Sequence, residues 1–276
     1  MIKINDLTFQ YPHQKELFTD LDLQMEEGAI YGLLGKNGAG KTTLLKIIAG
    51  LRFPQKGNCH AFGYKTEQRC PEFLNKIYFV PEEFYTPPIR MEEFINSFAP
   101  FYPDFNYDDL EEYIQEFEIP EKGNLSSFSY GQKKKFLVAF GLATNCKVLI
   151  LDEPTNGLDI PSKSKFRQVL ASSITEDRSF IISTHQVRDI DQLIDPIVIL
   201  DQGEIIFNYS LDEISEKLAI NIVDELPERE VLYYENTLGG YAVVEENVEN
   251  RTTAIDVETV FNAVINNKNK INRIFK

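Results

Sequence analysis

Residues 35–42, with the sequence GKNGAGKT, fit the pattern G-x-x-x-x-G-K-[ST] of a loop that cradles phosphate. Glycine permits backbone torsions that other residues avoid, so that several N–H groups can point at one anion. The start of a following helix adds partial positive charge at the same place. These residue types predict that Lys41 bridges the terminal phosphates of a nucleoside triphosphate and that the Thr42 hydroxyl binds Mg²⁺.

The segments on either side of this loop support that prediction. Residues 29–34 are predicted to form a buried strand, and residues 43–49 the first turns of a helix. The alternative is a glycine-rich turn before an ordinary helix, which the correct order of strand, loop and helix disfavours. The residues expected to contact the nucleotide here are Gly35, Lys36, Asn37, Gly38, Ala39, Gly40, Lys41, Thr42 and Thr43.

Two carboxylates follow the apolar run at residues 148–151. Asp152 is predicted to complete the Mg²⁺ coordination, and Glu153 to orient and deprotonate the attacking water. Because side chains alternate along a strand, the two carboxylates are expected to point in different directions and to take different roles. The alternative is a buried strand whose polar end merely starts a turn at Pro154, which the phosphate loop makes less attractive.

The length of 276 residues predicts one α/β domain with a modest appendage. Alternating residues between positions 2 and 23 predict exposed antiparallel strands. Apolar runs separated by helical patterns predict a mainly parallel sheet. These runs lie at residues 76–80, 148–151, 180–183 and 197–200.

The pattern of residue types changes twice further along the chain. Between Pro81 and Cys146, aromatic and acidic residues at helical spacing, broken by prolines, predict a helical insertion beside the sheet. Residues 221–276 are expected to form a separate small unit. Its predicted elements are strands at 231–234 and 241–244 and a last amphipathic helix that carries Val257 and Phe261.

Composition excludes several classes of partner and location. The formal charge of -15 argues against nucleic acid as the main partner, because that role requires a basic face. Cys59, Cys70 and Cys146 show no metal-ligand spacing and suit a reducing cytosol as packing residues. No window approaches about 18 consecutive apolar residues, and the first residues lack the core of a signal peptide. A soluble, cytoplasmic protein is expected.

Residues 125–133 are typical of a loop that opens a helix. Together with the phosphate loop and the carboxylate strand, they make the chain resemble the ATP-binding-cassette (ABC) ATPases that drive membrane transporters. Ser129, Gly131 and Gln132 match the family's signature motif, in which a serine and a helix start reach the γ-phosphate held by the other subunit. Without the other motifs, this stretch would be an ordinary capped helix. Tyr130 replaces the usual glycine, which implies slowed or reoriented catalysis.

The resemblance extends over residues 1–215 and implies further roles. Asp159 matches the residue that communicates across the dimer, and His185 the switch histidine that contacts the γ-phosphate and the attacking water. Lys41, Glu153 and His185 are then the catalytic residues. Tyr11 stands at the position of the aromatic residue that stacks on adenine. The alternative for His185 is a purely structural histidine at a strand end. The alternative for Tyr11 is a tyrosine that packs against a turn.

Glu82 departs from the family pattern, which has glutamine after the strand at residues 77–80. A carboxylate here can still ligate Mg²⁺, beside Thr42 and Asp152, but it repels the γ-phosphate. At about 4 Å and an effective dielectric constant of about 20, that repulsion is a few kcal/mol before the metal screens it. We therefore expect altered coupling between the nucleotide and the helical insertion.

The resemblance implies a P-loop NTPase (RecA-like) core with an antiparallel β subdomain, a helical insertion and a small C-terminal α+β extension. The corresponding domains are an ABC ATPase domain at 1–215, with its helical subdomain at about 83–146, and an accessory domain at 216–276. ATP and Mg²⁺ are the implied cofactors. Two cassettes, as a homodimer or as a heterodimer with a second ABC ATPase, are expected to sandwich two ATP molecules.

The implied function is to power transport through a separately encoded integral membrane permease, from the inner face of the cell membrane, with export as the favoured direction. The aromatic surface at residues 84–107 is expected to dock a permease helix, unless these aromatics form the core of the insertion. One alternative function is a soluble ABC-type ATPase that acts on the ribosome or DNA, which the acidic charge disfavours. Another is a regulatory ATP-binding subunit with little turnover, against which Glu153 and His185 weigh.

Overall fold

The computed structural model describes residues 1–248, 251 and 253–275 of the chain. In chain order its strands are β1 (Ile2–Gln10), β2 (Glu16–Met25), β3 (Ile30–Leu34), β4 (Lys56–Ala61), β5 (Tyr64–Lys65), β6 (Ile77–Val80), β7 (Val148–Asp152), β8 (Ser179–Thr184), β9 (Ile197–Asp201), β10 (Glu204–Tyr209), β11 (Leu218–Val223), β12 (Tyr233–Thr237) and β13 (Gly240–Glu246). Its α-helices are α1 (Lys41–Ile48), α2 (Pro71–Leu74), α3 (Met91–Phe98), α4 (Tyr107–Glu116), α5 (Tyr130–Ala143), α6 (Ile160–Ser173), α7 (Leu211–Lys217) and α8 (Val257–Phe275).

The central sheet has six strands in the order β10-β9-β3-β8-β7-β6. All neighbouring pairs are parallel except β10, which is antiparallel to β9 at the edge. Every residue of β3, β7 and β8 is buried, as expected for parallel strands that are covered on both faces. Because the strands are parallel, the loops that follow β3, β6, β7 and β8 emerge at one edge, where the predicted site residues lie. The predicted α/β P-loop NTPase fold is confirmed.

An antiparallel sheet in the order β2-β1-β4-β5 packs beside this core. In it, Ile4 is opposite Leu23 on one side and Cys59 on the other. Strands β1 and β2 were expected from their alternating pattern. Strands β4 and β5 were not, because their residues 56–61 and 64–65 contain few of the β-branched and apolar residues that mark a strand.

The predicted helical insertion is formed by α3, α4 and α5. Its interior is aromatic, with the rings of Phe94 and Phe105 at 5.3 Å and 5.1 Å from the ring of Phe140. Other aromatics of the same stretch are exposed, including Tyr85 and Phe101. Residues 84–107 thus divide between the core of the insertion and an exposed surface, and the docking of a permease helix on that surface stays a prediction.

The C-terminal residues form a three-stranded antiparallel sheet, β11-β13-β12, with α8 packed against it. The strand expected at 231–234 begins later, at Tyr233, although Leu232 already donates its N–H to the Val244 carbonyl at 3.0 Å. The core of this unit is continuous with that of the central sheet, and Phe275 packs on Tyr209 of β10 with ring centroids 4.4 Å apart. Its packing is therefore not separate, because α8 lies against β10.

The boundary predicted between residues 215 and 216 falls inside α7, and the division into two domains stays a prediction. Four residues of the predicted accessory domain, at positions 249, 250, 252 and 276, lie outside the described part of the chain. Among the residues that are described, no helix combines the length and apolar character needed to cross a membrane.

Candidate nucleotide-binding and hydrolysis site

The phosphate loop connects β3 to α1 and depends on its glycines. Gly38 and Gly40 have φ angles of +83° and +110°, in the region that favours glycine. Gly35 is needed for space instead, because a Cβ added to it would lie 2.5 Å from the carbonyl oxygen of Leu200 at the end of β9. The loop is thus held against the carboxyl ends of the central strands, with its open side free for a ligand.

Lys41, the first residue of α1, folds back over this loop. Its ammonium donates to the carbonyl of Gly35 at 2.8 Å and lies 3.5 Å from Oε1 of Glu153. Both side chains of this ion pair are nearly buried, at 7% and 5% exposure. The predicted phosphate-binding cation and the predicted catalytic carboxylate therefore meet across the loop.

Thr42 and Asp152 are 110 residues apart in sequence and hydrogen-bonded in the fold, with Thr42 Oγ1 donating to Asp152 Oδ2 at 2.8 Å. The Ser183 hydroxyl donates to the other carboxylate oxygen at 2.5 Å. Burial raises the pKa of Asp152, and these two hydrogen bonds partly oppose that shift. The carboxylate is therefore fixed in direction by a hydroxyl on each of its oxygens.

The hydroxyl oxygen of Thr42 and the adjacent carboxylate oxygen of Asp152 fit Mg²⁺, which prefers hard oxygen ligands and takes few of them from protein. In the described residues, no group of three or more histidine, cysteine or acidic side chains forms a metal cage. Mg²⁺ is commonly bound through one or two protein carboxylates and completed by water and phosphate oxygens. The chemistry of the donor set thus matches the predicted metal.

Glu153 lies immediately after the end of β7 and faces His185, which follows β8. Nδ1 of His185 lies 2.9 Å from Oε1 of Glu153, and the backbone N–H of His185 donates to Oε2 at 3.4 Å. Glu153 has a φ of +46°, so the chain turns at this residue. Asp152 and Glu153 have different partners, and their divergence through alternation along a strand stays a prediction.

A cleft of about 690 Å³ opens beside these residues. Its lining combines predicted residues from five separate stretches of the chain: Tyr11, Asn37, Gly38, Gly40, Lys41, Thr42, Thr43, Glu82, Glu153 and His185. The hydroxyl groups of Tyr11 and Thr43 are 3.0 Å apart. Glu82 accepts a hydrogen bond from the amide of Asn156 at 2.9 Å, so its side chain lies between the cleft and the turn after β7.

The four residues expected to act across the dimer do not line this cleft: Ser129, Gly131, Gln132 and Asp159. Ser129 caps α5, where its hydroxyl accepts from the N–H of Gln132 at 3.2 Å and its own N–H donates to the Gln132 side chain at 2.9 Å. Asp159 caps α6 by accepting from the N–H of Ser162 at 2.9 Å. Gly131 lies in the first turn of α5. Within one chain, these four residues form helix starts outside the cleft.

Three residues of the site were missed in the sequence. Ser183 is the next-to-last residue of β8, and it lies beside Asp152 because β8 pairs with β7 in this register, which the sequence does not specify. Asn156 follows Glu153 by only three residues and offered no signal beyond its position. Lys134 stands in a run of three lysines, a pattern typical of an exposed surface, yet its side chain is fully buried.

Comparison with known proteins agrees with this geometry. The model of the ABC transporter family matches residues 18–156. The bacitracin transport ATP-binding protein BcrA of Bacillus licheniformis is 32% identical over 222 residues, which are 79% of this chain and 72% of BcrA. The ABC transporter ATP-binding protein YtrB of Bacillus subtilis (strain 168) is 28% identical over 203 residues, covering 73% of this chain and 70% of YtrB.

Solved structures of the same kind share the fold. The structure of an ATP-binding subunit of an ABC transporter superposes with a TM-score of 0.70 and 24% identity, covering 78% of this chain and 91% of that chain. A dimeric post-hydrolysis structure of the ATP-binding cassette MJ0796, bound to ADP and Pi, gives a TM-score of 0.67 and 23% identity over 76% of this chain and 99% of that one. The chain belongs to the ABC transporter family, as an ATP-binding subunit with ATPase activity.

Proposed function

We propose that this subunit hydrolyses Mg·ATP in the cleft beside the phosphate loop and transmits the resulting movement to a separately encoded membrane permease. The observation that carries this proposal is the contact of Glu153 with both His185 and Lys41. A carboxylate held by a histidine and a lysine next to a phosphate cradle is suited to orient a water molecule for attack on the terminal phosphate.

Each residue of the cleft has a role in this mechanism. The backbone N–H groups of residues 36–41 would bind the phosphates, and Lys41 would exchange its contact with Glu153 for the β- and γ-phosphates. Glu153 would then accept the proton of the attacking water while His185 holds its carboxylate in place. Thr42 and Asp152, with Glu82 at the edge, would hold Mg²⁺, which neutralises phosphate charge when bound.

The nucleotide base has its own contact in this proposal. The ring of Tyr11 lies at the cleft, with its hydroxyl 3.0 Å from that of Thr43 and the guanidinium of Arg52 at 6.0 Å from the ring centroid. A tyrosine fixed in this way offers a π-face on which adenine can stack. We therefore assign Tyr11 to the base and the residues after β3 to the phosphates.

A second cassette is required to complete the site. Ser129, Gly131, Gln132 and Asp159 lie outside the cleft of their own chain, whose lining includes the start of α1 but not that of α5 or α6. Another cassette, identical or related, would bring its own Ser129 segment against this cleft. ATP would then stabilise a closed dimer, because it binds surfaces of both cassettes, and hydrolysis would let the dimer open.

The permease is proposed to dock on an apolar groove of about 790 Å³ between the helical insertion and the core. Its lining includes Leu51, Phe79, Phe98 and Phe101, of which Phe101 is 68% exposed. Phe79 lies on β6, three residues before Glu82, so this groove and the cleft share one segment of chain. Docking would place the subunit at the inner face of the membrane. We propose export, by analogy with cassettes that carry proline and glutamate at Pro81 and Glu82.

The catalytic part of this proposal is tested with Glu153→Gln. This variant should bind ATP, hydrolyse it at least about 100-fold more slowly and accumulate as an ATP-bound dimer in size-exclusion chromatography. Glu176→Gln, an exposed change outside the cleft, is the matched control and should behave as the wild type. Hydrolysis by Glu153→Gln at the wild-type rate would exclude Glu153 as the base.

The transport part is tested by co-expression with any membrane protein that a neighbouring reading frame encodes. Co-purification from detergent is expected, and Phe101→Ser should weaken it without changing the ATPase rate of the isolated subunit. Tyr107→Ser, another exposed aromatic of the insertion that does not line the groove, is the control. Equal retention of the permease by both variants would move the docking site elsewhere.

A further inference from the structure

Lys134 is a lysine on α5 with no solvent exposure. An ammonium group removed from water destabilises the fold unless its N–H groups are hydrogen-bonded. Here Nζ donates to the carbonyl of Glu153 at 2.6 Å and to that of Asn156 at 3.3 Å, and it lies 5.5 Å from the ring centroid of Tyr130. These three partners account for the three N–H donors of the ammonium.

The backbone that Lys134 contacts is in an unfavourable conformation. Glu153 has a φ of +46°, which is unfavourable for a residue with a side chain and persists only where neighbours impose it. On one side, the N–H of Glu153 donates to the carbonyl of Ser183 at 3.1 Å. On the other side, the carbonyl of Glu153 accepts from Lys134 and, at 3.3 Å, from the N–H of Asn156. Both peptide groups that flank this residue are therefore anchored.

We propose that Lys134 is a positioning residue for Glu153: it fixes the turn at residues 153–156 so that the carboxylate stays against His185 and Lys41. The inference rests on the proposed role of Glu153 in hydrolysis. Lys134 does not line the nucleotide cleft, and its contacts with the turn after β7 are to the backbone carbonyls of Glu153 and Asn156.

The position of Lys134 on α5 adds a consequence for the dimer. Ser129 caps the same helix one turn earlier and, in the proposed dimer, faces the nucleotide bound by the other cassette. A displacement of α5 that follows nucleotide binding at Ser129 would be carried through Lys134 to Glu153 of its own site.

The test compares Lys134→Met with the wild type in ATP binding and in hydrolysis. Methionine fills a similar volume without any donor. We expect the Kd for ATP to stay within about twofold and kcat to fall about 10- to 100-fold, the usual range for the loss of a supporting contact. Lys134→Arg, which keeps the donors and the charge, should recover part of kcat. Thermal unfolding verifies that each variant is folded.

The matched control is Lys147→Met, the same substitution at the opposite end of β7, where the lysine forms an exposed pair with Asp177. It should retain the wild-type kcat. The inference is overturned by a wild-type kcat in Lys134→Met, or by a loss of ATP affinity as large as the loss in kcat. Should Lys134→Met fail to fold, the same comparison is made with Lys134→Leu, which also lacks a donor, and a wild-type kcat there overturns it equally.

Glu153→Gln, measured in parallel, distinguishes this inference from the proposed function. An inactive Glu153→Gln together with a fully active Lys134→Met would contradict only the positioning role of Lys134. A fully active Glu153→Gln would contradict the proposed base and, with it, the reason for positioning that residue.

Discussion

The hydroxyl of Tyr130 donates a hydrogen bond to the backbone carbonyl of Glu82 at 2.8 Å, across 48 residues of sequence. The same ring stacks on Phe84 with centroids 5.2 Å apart, and it covers Gly157, where an added Cβ would lie 3.1 Å from the ring. Burial, followed by the charges of the nearby acidic residues, raises the pKa of Tyr130, which therefore stays a donor. The tyrosine that replaces the family's glycine thus joins the start of α5 to the loop after β6.

Tyr130→Phe tests this contact. The change removes one hydrogen bond and keeps the stacked ring, so the free energy of unfolding should fall by about 0.5–1 kcal/mol. Urea unfolding provides the measurement. Tyr85→Phe, at a tyrosine that is 81% exposed, is the control and should leave the stability unchanged. Equal stability of both variants would mean that the Tyr130 hydroxyl contributes nothing to the fold.

Thr42 is predicted to be essential through its hydroxyl. Thr42→Val leaves one oxygen of the buried Asp152 carboxylate without its donor, which should lower the stability by about 1.5–3 kcal/mol and abolish the Mg²⁺ dependence of ATP binding. Thr42→Ser keeps the hydroxyl and should behave nearly as the wild type. Isothermal titration with ATP, in Mg²⁺ and in EDTA, measures both variants. A Mg²⁺-dependent affinity in Thr42→Val would remove this residue from the metal site.

Glu82→Gln should relieve repulsion between the carboxylate and the terminal phosphate. The glutamine can still accept from Asn156, so the local structure is retained. A repulsion of about 1 kcal/mol after screening by the metal corresponds to about fivefold in affinity for Mg·ATP. ATP hydrolysis by Glu82→Gln and by the wild type, measured over a series of Mg²⁺ concentrations, tests whether Glu82 ligates the metal. If the Mg²⁺ dependence matches that of the wild type, Glu82 is not a ligand.

Lys134 gives the stability a specific dependence on pH. Burial lowers its pKa from 10.5 to about 8, although the charges of Glu82, Glu153 and Asp152 favour the ammonium. Between these two values the unfolded chain binds more protons than the folded chain, so the free energy of unfolding contributed by this group rises with pH.

The effect of this pKa shift is measured as the difference in stability between the wild type and Lys134→Met. The stability of the wild type relative to Lys134→Met should increase from about pH 8 towards pH 10.5, as measured by urea unfolding at several pH values. Over the same range kcat of the wild type should fall, because a neutral amine makes weaker hydrogen bonds to the two carbonyls. Parallel stability curves for the two proteins would contradict the shifted pKa.

The sequence predicted the elements whose signal is local. A glycine-rich loop between an apolar strand and a helix, and an apolar run that ends in Asp152 and Glu153, depend only on neighbouring residues. For the same reason the parallel sheet and the helical insertion could be expected. Strands β4 and β5 carry no strong pattern, because their place in a sheet is decided by the strands they pair with.

Other features of the site depend on contacts between residues that are far apart in the sequence. Local sequence placed Asp152 at a strand end, but only the parallel pairing of β7 with β8 brings the Ser183 hydroxyl to it. Likewise, the three lysines at 133–135 are equivalent as a sequence pattern. The fold alone decides that the middle one turns inward to the carbonyl of Glu153, because the energy of burying an ammonium depends on which acceptors surround it.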